Sequence, residues 1–290
     1  MSTSPQRYHE PVMMAEVLDG LAVHPGGAYI DCTLGDAGHA EAILAAATPN
    51  GRLLGFDADP EAAGAARARL AAHPGTVVVN ANFNRLEEHA HAHGFIPADG
   101  LLLDLGLSSR QLDAEDRGFS FRRPGALDMR FDPSRGQSAA ELVNHLDERE
   151  LADVIYTLGE EPRSRRIARA IVAARPFTDA ERLAEVVARS SGYPRGRTHP
   201  ATRTFQALRM AVNDELGSLR ALLEQAVRVL RSGARLVAIA YHSLEDRELK
   251  RFIAGGALRA VTKKVLRPSA EEVARNRRSR SARVRVAECL

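Results

Sequence analysis

Little in this 290-residue chain can cross-link it covalently: it has two cysteines, Cys32 and Cys289, near opposite ends. That is too few for a disulfide framework or a thiolate zinc site. Cys32 sits inside an apolar, strand-like run and reads as a small core residue. No apolar run approaches the length that spans a bilayer. The segment Met1 to Tyr8 is polar and lacks the charged-then-apolar order of a signal peptide. A cytoplasmic location without a membrane partner is expected. There is no internal repeat, and no Gly-x-Gly-x-x-Gly of the dinucleotide-binding kind. Net charge is slight, +3 from 40 basic and 37 acidic side chains.

What is present is an ordinary apolar fraction, 44%, on a length that suits one large domain or two moderate ones. A packed core is therefore expected rather than disorder. The slight net charge hides an uneven distribution. Between Arg259 and Arg285 there are ten basic residues against Glu271 and Glu272. A second basic run is Arg163, Arg165, Arg166 and Arg169. Such clusters suit a polyanion, and charge alone equally suits a solvated face.

The first hundred or so residues alternate strands and helices. Helical spacing over Glu10 to Leu21 precedes the turn Pro25-Gly26-Gly27. Strands are expected over Ala28 to Cys32, Arg52 to Phe56, Thr76 to Val79 and Gly100 to Leu105, with helices at His39 to Ala47 and Glu61 to Ala71. Leu101-Leu102-Leu103 is continuously apolar, as in a strand covered on both faces. The rhythm predicts a doubly wound parallel sheet. It breaks after Leu107, where helical patterns at 138–146, 148–158, 163–174 and 179–189 suggest an all-helical insertion. It resumes with a long helical stretch, Arg203 to Leu230, a turn at Ser232-Gly233, a strand over Arg235 to Ala240 and a last strand near Ala282 to Ala287. The expected division is 1–110 with 205–290 as the α/β core and 111–204 as the insertion, a candidate surface for recognising substrate.

Three carboxylates fall at expected strand ends. Asp31 opens Asp31-Cys32-Thr33-Leu34-Gly35-Asp36-Ala37-Gly38-His39, a glycine-containing strand-to-helix turn that lets backbone approach a ligand. Asp57 ends the second strand, where an acidic residue can hold ribose hydroxyls. Asp104 ends the fourth, in Asp104-Leu105-Gly106-Leu107-Ser108-Ser109. In open α/β sheets, ligands bind beyond these carboxyl ends. An adenosine-bearing cofactor fits, and NAD is not excluded by these features. Each Asp taken singly also suits a loop or a helix cap.

The polar strings Tyr8-His9-Glu10-Pro11-Val12, Asp31 to Gly35, Asp104 to Asp113, Arg117-Gly118-Phe119-Ser120-Phe121, Leu127-Asp128-Met129-Arg130, His199 to Arg209, Val212 to Leu216, Tyr241 to Arg247 and Arg278 to Ala282 have no simple helix or strand explanation. On them the chain resembles, nearly end to end, the bacterial 16S ribosomal RNA cytosine-N4 methyltransferase family (RsmH, also called MraW). The resemblance implies a Rossmann-like sheet dependent on S-adenosylmethionine (SAM), with an inserted helical domain. It implies that SAM is held by Ala37, Gly38, His39, Asp57, Phe83, Asp104 and Gln111. It also implies 16S ribosomal RNA as partner, methylated on cytidine N4 in its decoding region. The chain departs from the family at Asp36 and Ala37, where glycines are usual, and at Tyr241, where Phe is usual.

Methyl transfer from a sulfonium needs positioning and exclusion of water, and an acceptor on the amine can receive developing charge. Asp104 is the leading candidate for that role, with His242 a second; Glu245 is read as loop structure. Arg209 and Asn213 share a helix face and suit either RNA or internal bracing. Arg122 and Arg123 suit phosphates, and Phe119, Phe121 and Tyr241 suit either base stacking or core. His89, His91 and His93 offer no third ligand on one face, so no metal is expected. Three rivals stand: an NAD-dependent oxidoreductase, a non-catalytic RNA-binding or ribosome-assembly protein on the same fold, and a methyltransferase with another nucleic-acid target.

Overall fold

The computed structural model describes residues 10–114, 116–121, 125–192 and 199–290. Two compact units divide the chain: unit 1 is Met1–Ser109 with Leu216–Leu290, and unit 2 is Arg110–Glu215.

Unit 1 holds β1 (Ala28–Asp31), β2 (Arg52–Asp57), β3 (Thr76–Asn80), β4 (Ala98–Asp104), β5 (Leu230–Ala240), β6 (Leu258–Ala260) and β7 (Arg283–Cys289). Their order in one sheet is β3-β2-β1-β4-β5-β7-β6. The first five pair in parallel, but β7 runs antiparallel to both β5 and β6. The sheet is therefore mixed rather than purely parallel, because the last strand returns directly beside β5.

Early helices are α1 (Met14–Leu21), α2 (Gly38–Ala46), α3 (Pro60–Arg69) and α4 (Leu86–Ala92). Asp59 caps α3 by accepting from the Glu61 amide, with Pro60 in the first turn and Arg67 and Arg69 in the last. Unit 2 contributes α5 (Ser109–Asp113, beginning at the last residue of unit 1), α6 (Ala139–His145), α7 (Glu148–Gly159), α8 (Ser164–Ala173), α9 (Ala180–Ser191) and α10 (Thr202–Val212). Reciprocal Ser138/Glu141 and Asp147/Glu150 capping boxes start α6 and α7. The chain returns to unit 1 through α11 (Glu215–Val229), then adds α12 (Ser243–Ala254) and α13 (Ala270–Arg275). The long helix expected from Arg203 to Leu230 is thus two helices, broken where Asp214 takes a left-handed φ of 44°. The boundary expected at 205 falls at Leu216, because α10 packs on α7 inside unit 2.

The sheet separates two cores. Ile30, Leu54, Leu101 and Leu103 join Leu86 of α4, Leu222 of α11 and Leu249 of α12 on one face. Tyr29, Leu53 and Leu102 join Val17 of α1, Ile43 of α2 and Ala66 of α3 on the other. Consecutive residues of one strand feed opposite cores, which is why these strands read as unbroken apolar runs. Cys32 and Cys289 are both buried thiols. No helix among the described residues is long and apolar enough to cross a membrane.

Candidate active site

The strand order reverses between β1 and β4, which opens a crevice beyond the carboxyl ends of the parallel strands. Asp31, Asp57 and Asp104 are the last residues of β1, β2 and β4. Register fixes them on one rim, since Asp31 pairs with Gly55 and Leu102, and Asp104 with Ile239.

All three carboxyls are pushed up by burial, Asp31 and Asp104 to about 7 and Asp57 to about 6. Desolvation outweighs the hydrogen bonds that each accepts. Asp57 takes the Gly35 amide on Oδ2 at 2.8 Å and the Asp59 amide on Oδ1 at 2.9 Å. Its oxygens keep lone pairs for a diol. Asp31 Oδ1 accepts from the Thr33 amide at 3.0 Å, while its Oδ2 is buried without a partner. Thr33 in turn accepts the Asp104 amide on Oγ1 at 2.6 Å. Asp104 Oδ1 accepts the Tyr241 hydroxyl at 2.8 Å. Thr33 and the Tyr241 hydroxyl are the parts of the site that sequence reasoning missed; Thr two residues after a strand-end Asp was the available signal.

The glycine-containing turn closes the rim. Gly35 has a φ of 50° and Ala37 one of 61°, so an alanine stands in the left-handed region that favours glycine. Ala37 precedes α2 and is fully buried. A Cβ on Gly38 would lie 2.4 Å from Pro11 Cγ, so what this glycine admits is the Pro11 ring. His39 is buried, with neither ring nitrogen hydrogen-bonded. Its Nε2 lies 3.6 Å from Asp104 Oδ2, and burial pulls its pKa down to about 4, so the ring is neutral and the contact is not an ion pair. Phe83 opens a 3-10 turn beyond β3 that Asn82 caps, and it packs half-buried against the α4-side core.

Tyr241 follows β5 directly, and its ring lies 3.3 Å from where a Gly106 Cβ would be. Its ring is held by the Asp104 bond, whatever else it touches. His242 is the N-cap of α12: its Nδ1 accepts the Glu245 amide at 3.4 Å, and Glu245 Oε2 accepts the Tyr241 amide at 2.9 Å. The imidazole placed among the catalytic candidates therefore has a capping task, because a helix starts immediately after it.

Most of the remaining candidates lie in unit 2 or outside the described residues. Gln111 is buried in α5. Arg209 makes a bidentate pair with Glu215, at 2.6 and 2.9 Å, both side chains being largely buried. Asn213 accepts the Phe131 amide and donates to the Met129 and Arg209 carbonyls. These bonds brace unit 2, which is one of the two roles that helix spacing left open for Arg209 and Asn213. Phe119 stacks on Phe131, and Phe121 packs against His199 and Phe205. Arg122, Arg123, Tyr8 and His9 lie outside the described residues. His89 stacks on His93 and meets the edge of Phe56.

The rim suits a cationic, adenosine-bearing group: a buried Asp31 with one unpartnered oxygen, the half-buried carboxylates of Asp57 and Asp104, and a neutral imidazole lie around the glycine-containing turn. Residues 6–290 match the model of the MraW methylase family. The chain is 49% identical to a ribosomal RNA small subunit methyltransferase H from Dehalococcoides mccartyi, covering 97% of this chain and 86% of that protein. It is 50% identical to the protein of that name from Thermomicrobium roseum, covering 97% and 93%. With the one from Syntrophobacter fumaroxidans it shares 45%, covering 99% and 98%.

Proposed function

This chain belongs to the MraW methylase family, and we propose that it transfers a methyl group from SAM to N4 of a cytidine in the decoding region of 16S ribosomal RNA. Its relatives named as small-subunit ribosomal RNA methyltransferases support RNA as acceptor. The observation that carries the reading is Asp104, a half-buried carboxylate fixed by Tyr241 and Thr33 beside the strand-order reversal. When bound, SAM supplies an electrophilic methyl on a positively charged sulfur.

The chain's residues do the rest. Asp57, preorganised by two amides, holds the ribose hydroxyls. The turn from Gly35 to His39 lines the cofactor, and Asp31 and Asp104 offset its positive charge. Phe83, beyond β3, would also help to hold the cofactor, as the family resemblance implies. Asp104 Oδ2 accepts an N–H of the cytosine amine, whose lone pair is otherwise delocalised into the ring. With the cofactor bound, N4 would gain the methyl as the methyl–sulfur bond breaks and the pair leaves on the neutral thioether, and the carboxylate would take the N4 proton. A carboxyl near pH 7 is suited to that exchange. The target base leaves its stack to reach the rim. The substrate is the RNA within the small subunit, in the cytoplasm, and unit 2 supplies further recognition.

The test is methyl transfer from labelled SAM to small subunits lacking their own modification, with mass spectrometry of the nucleosides. N4-methylcytidine at one decoding-region site, abolished by Asp104→Ala, is expected. SAM binding without transfer to any subunit or RNA would sink the reading and favour a non-catalytic RNA-binding protein, with Asp36 and Ala37 the first positions to restore to glycine.

A further inference from the structure

The basic stretch from Arg259 to Arg285 divides sharply in the folded chain. Arg259 pairs with Glu288, Arg275 with Glu10, and Arg283 and Arg285 with Asp246. Among the described residues, Lys263, Lys264, Arg267, Arg277, Arg278 and Arg280 have no acidic partner. Three of these share one short element, the 3-10 helix Arg277–Ser281.

That element is built rather than loose. Asn276 Oδ1 accepts the Arg278 amide at 3.2 Å, and Asn276 Nδ2 donates to the Glu10 carbonyl at 2.9 Å. Ser279 is fully buried and donates its hydroxyl to the Asn276 carbonyl at 2.8 Å. Arg277 and Arg280 are exposed and Arg278 is half-buried. A rigid turn thus holds three guanidinium groups with no carboxylate among the described residues to neutralise them.

Its place in the sheet gives it a use. The 3-10 helix leads into β7, whose Arg283 pairs with Ala240, the residue before Tyr241, while Val284 pairs with Ile239 opposite Asp104. The turn therefore stands on the same rim as Asp104. The positive charge of Arg278 acts on the Tyr241 phenol. Glu10, to which Arg275 and Asn276 are tied, precedes Pro11, which sits on Gly38 at the start of α2. The basic turn is thereby fastened to the segment that seats the cofactor turn.

We propose that Arg277, Arg278 and Arg280 form a phosphate-binding ledge that grips the RNA backbone next to the cytidine held at Asp104. This rests on RNA being the acceptor. Guanidinium forks match phosphate oxygens, and such contacts fix register without reading sequence. An RNA gripped here is anchored beside the nucleotide that must leave its stack.

The test compares the triple variant Arg277→Gln/Arg278→Gln/Arg280→Gln with Arg67→Gln/Arg228→Gln/Arg251→Gln, which removes equal charge elsewhere on unit 1. Binding of a fluorescent single-stranded oligoribonucleotide is measured across a salt series, and SAM binding is titrated by calorimetry on each protein. The ledge variant should bind RNA at least tenfold more weakly. Its log Kd against log salt should be about two units less steep, at roughly 0.7 per lost phosphate contact on a single strand. SAM affinity should be unchanged, which also reports that the rim is folded. The triple Lys variant at the same positions should keep most of the salt slope. Equal losses in ledge and control variants, or an unchanged slope in the ledge variant, would overturn the ledge while leaving RNA methylation intact. An unsubstituted protein that binds neither the oligoribonucleotide nor small subunits but still binds SAM would remove the RNA reading and the ledge together.

Discussion

Tyr241→Phe deletes one hydroxyl from a ring that is otherwise left in place, so its effect isolates the bond to Asp104. A hydrogen bond to a charged acceptor contributes about 1.5–3 kcal/mol. Lost from the ionised form, that raises the carboxyl by about 1–2 pH units at 1.36 kcal/mol each. In the wild-type protein the Asp104 carboxyl lies at about 7, pushed up chiefly by burial and held down by Tyr241. About half is ionised at pH 7, against roughly 1–10% in the variant. If the carboxylate is the form that accepts from the amine, activity is present above this pKa and lost as pH falls through it. The assay is kcat/KM for methyl transfer from pH 5.5 to 9.5. The variant should be about 5- to 50-fold slower at pH 7 and approach wild type near pH 9.5, its acid limb displaced upward. Superimposable profiles would refute the reasoning, because the bond would then not act on the reacting carboxyl. A uniform loss at every pH would assign Tyr241 to packing alone.

Three further outcomes follow from particular contacts. Asp31 lies at about 7 when folded, against an ordinary 3.8. The folded state therefore holds this proton more tightly, and the stabilisation is full below about pH 4 and lost as pH rises through 7. Relative to Asp31→Asn, wild type should lose about 2.5 kcal/mol of urea-unfolding stability between pH 5 and pH 8; a constant difference would mean that Asp31 is already ionised at pH 5. Gly38→Ala sets a methyl 2.4 Å from Pro11 Cγ, and this overpacking, about 1–3 kcal/mol, outweighs the roughly 1 kcal/mol gained in helix propensity. Thermal unfolding should therefore shift downward and SAM affinity fall with it, and an upward shift would show that Pro11 yields freely. Asn213→Ala removes three hydrogen bonds to backbone, at about 1 kcal/mol each. It should destabilise unit 2 in hydrogen exchange while leaving the salt slope of RNA binding unchanged; a shallower slope would restore Asn213 to the RNA surface.

Much of the fold was legible because strand and helix periodicity are local properties. Leu101 to Leu103 announced a strand covered on two faces, and both faces are covered. The rim of aspartates was legible for the same reason: a strand's end is marked in sequence, and parallel strands put their carboxyl ends together. The direction of β7 was not legible, since nothing local distinguishes a strand that returns antiparallel. Nor was the break at Asn213-Asp214, where a polar pair inside a helical pattern gave no sign that Asn213 would be taken by the backbone of residues 129–131.

The sequence by itself determined that an α/β sheet would carry Asp31, Asp57 and Asp104 at successive strand ends, around a glycine-containing turn. Only the tertiary structure decided which of these side chains remain available. It turned His242 into a helix cap, Arg209 into half of a buried pair and Gly38 into a seat for Pro11. It also left Arg277, Arg278 and Arg280 without acidic partners among the described residues, while neighbours of identical type were neutralised. The reason is physical: residue type sets what a side chain can bind, but burial and the competing partners around it set what it has left to bind with, and those partners arrive from distant parts of the chain.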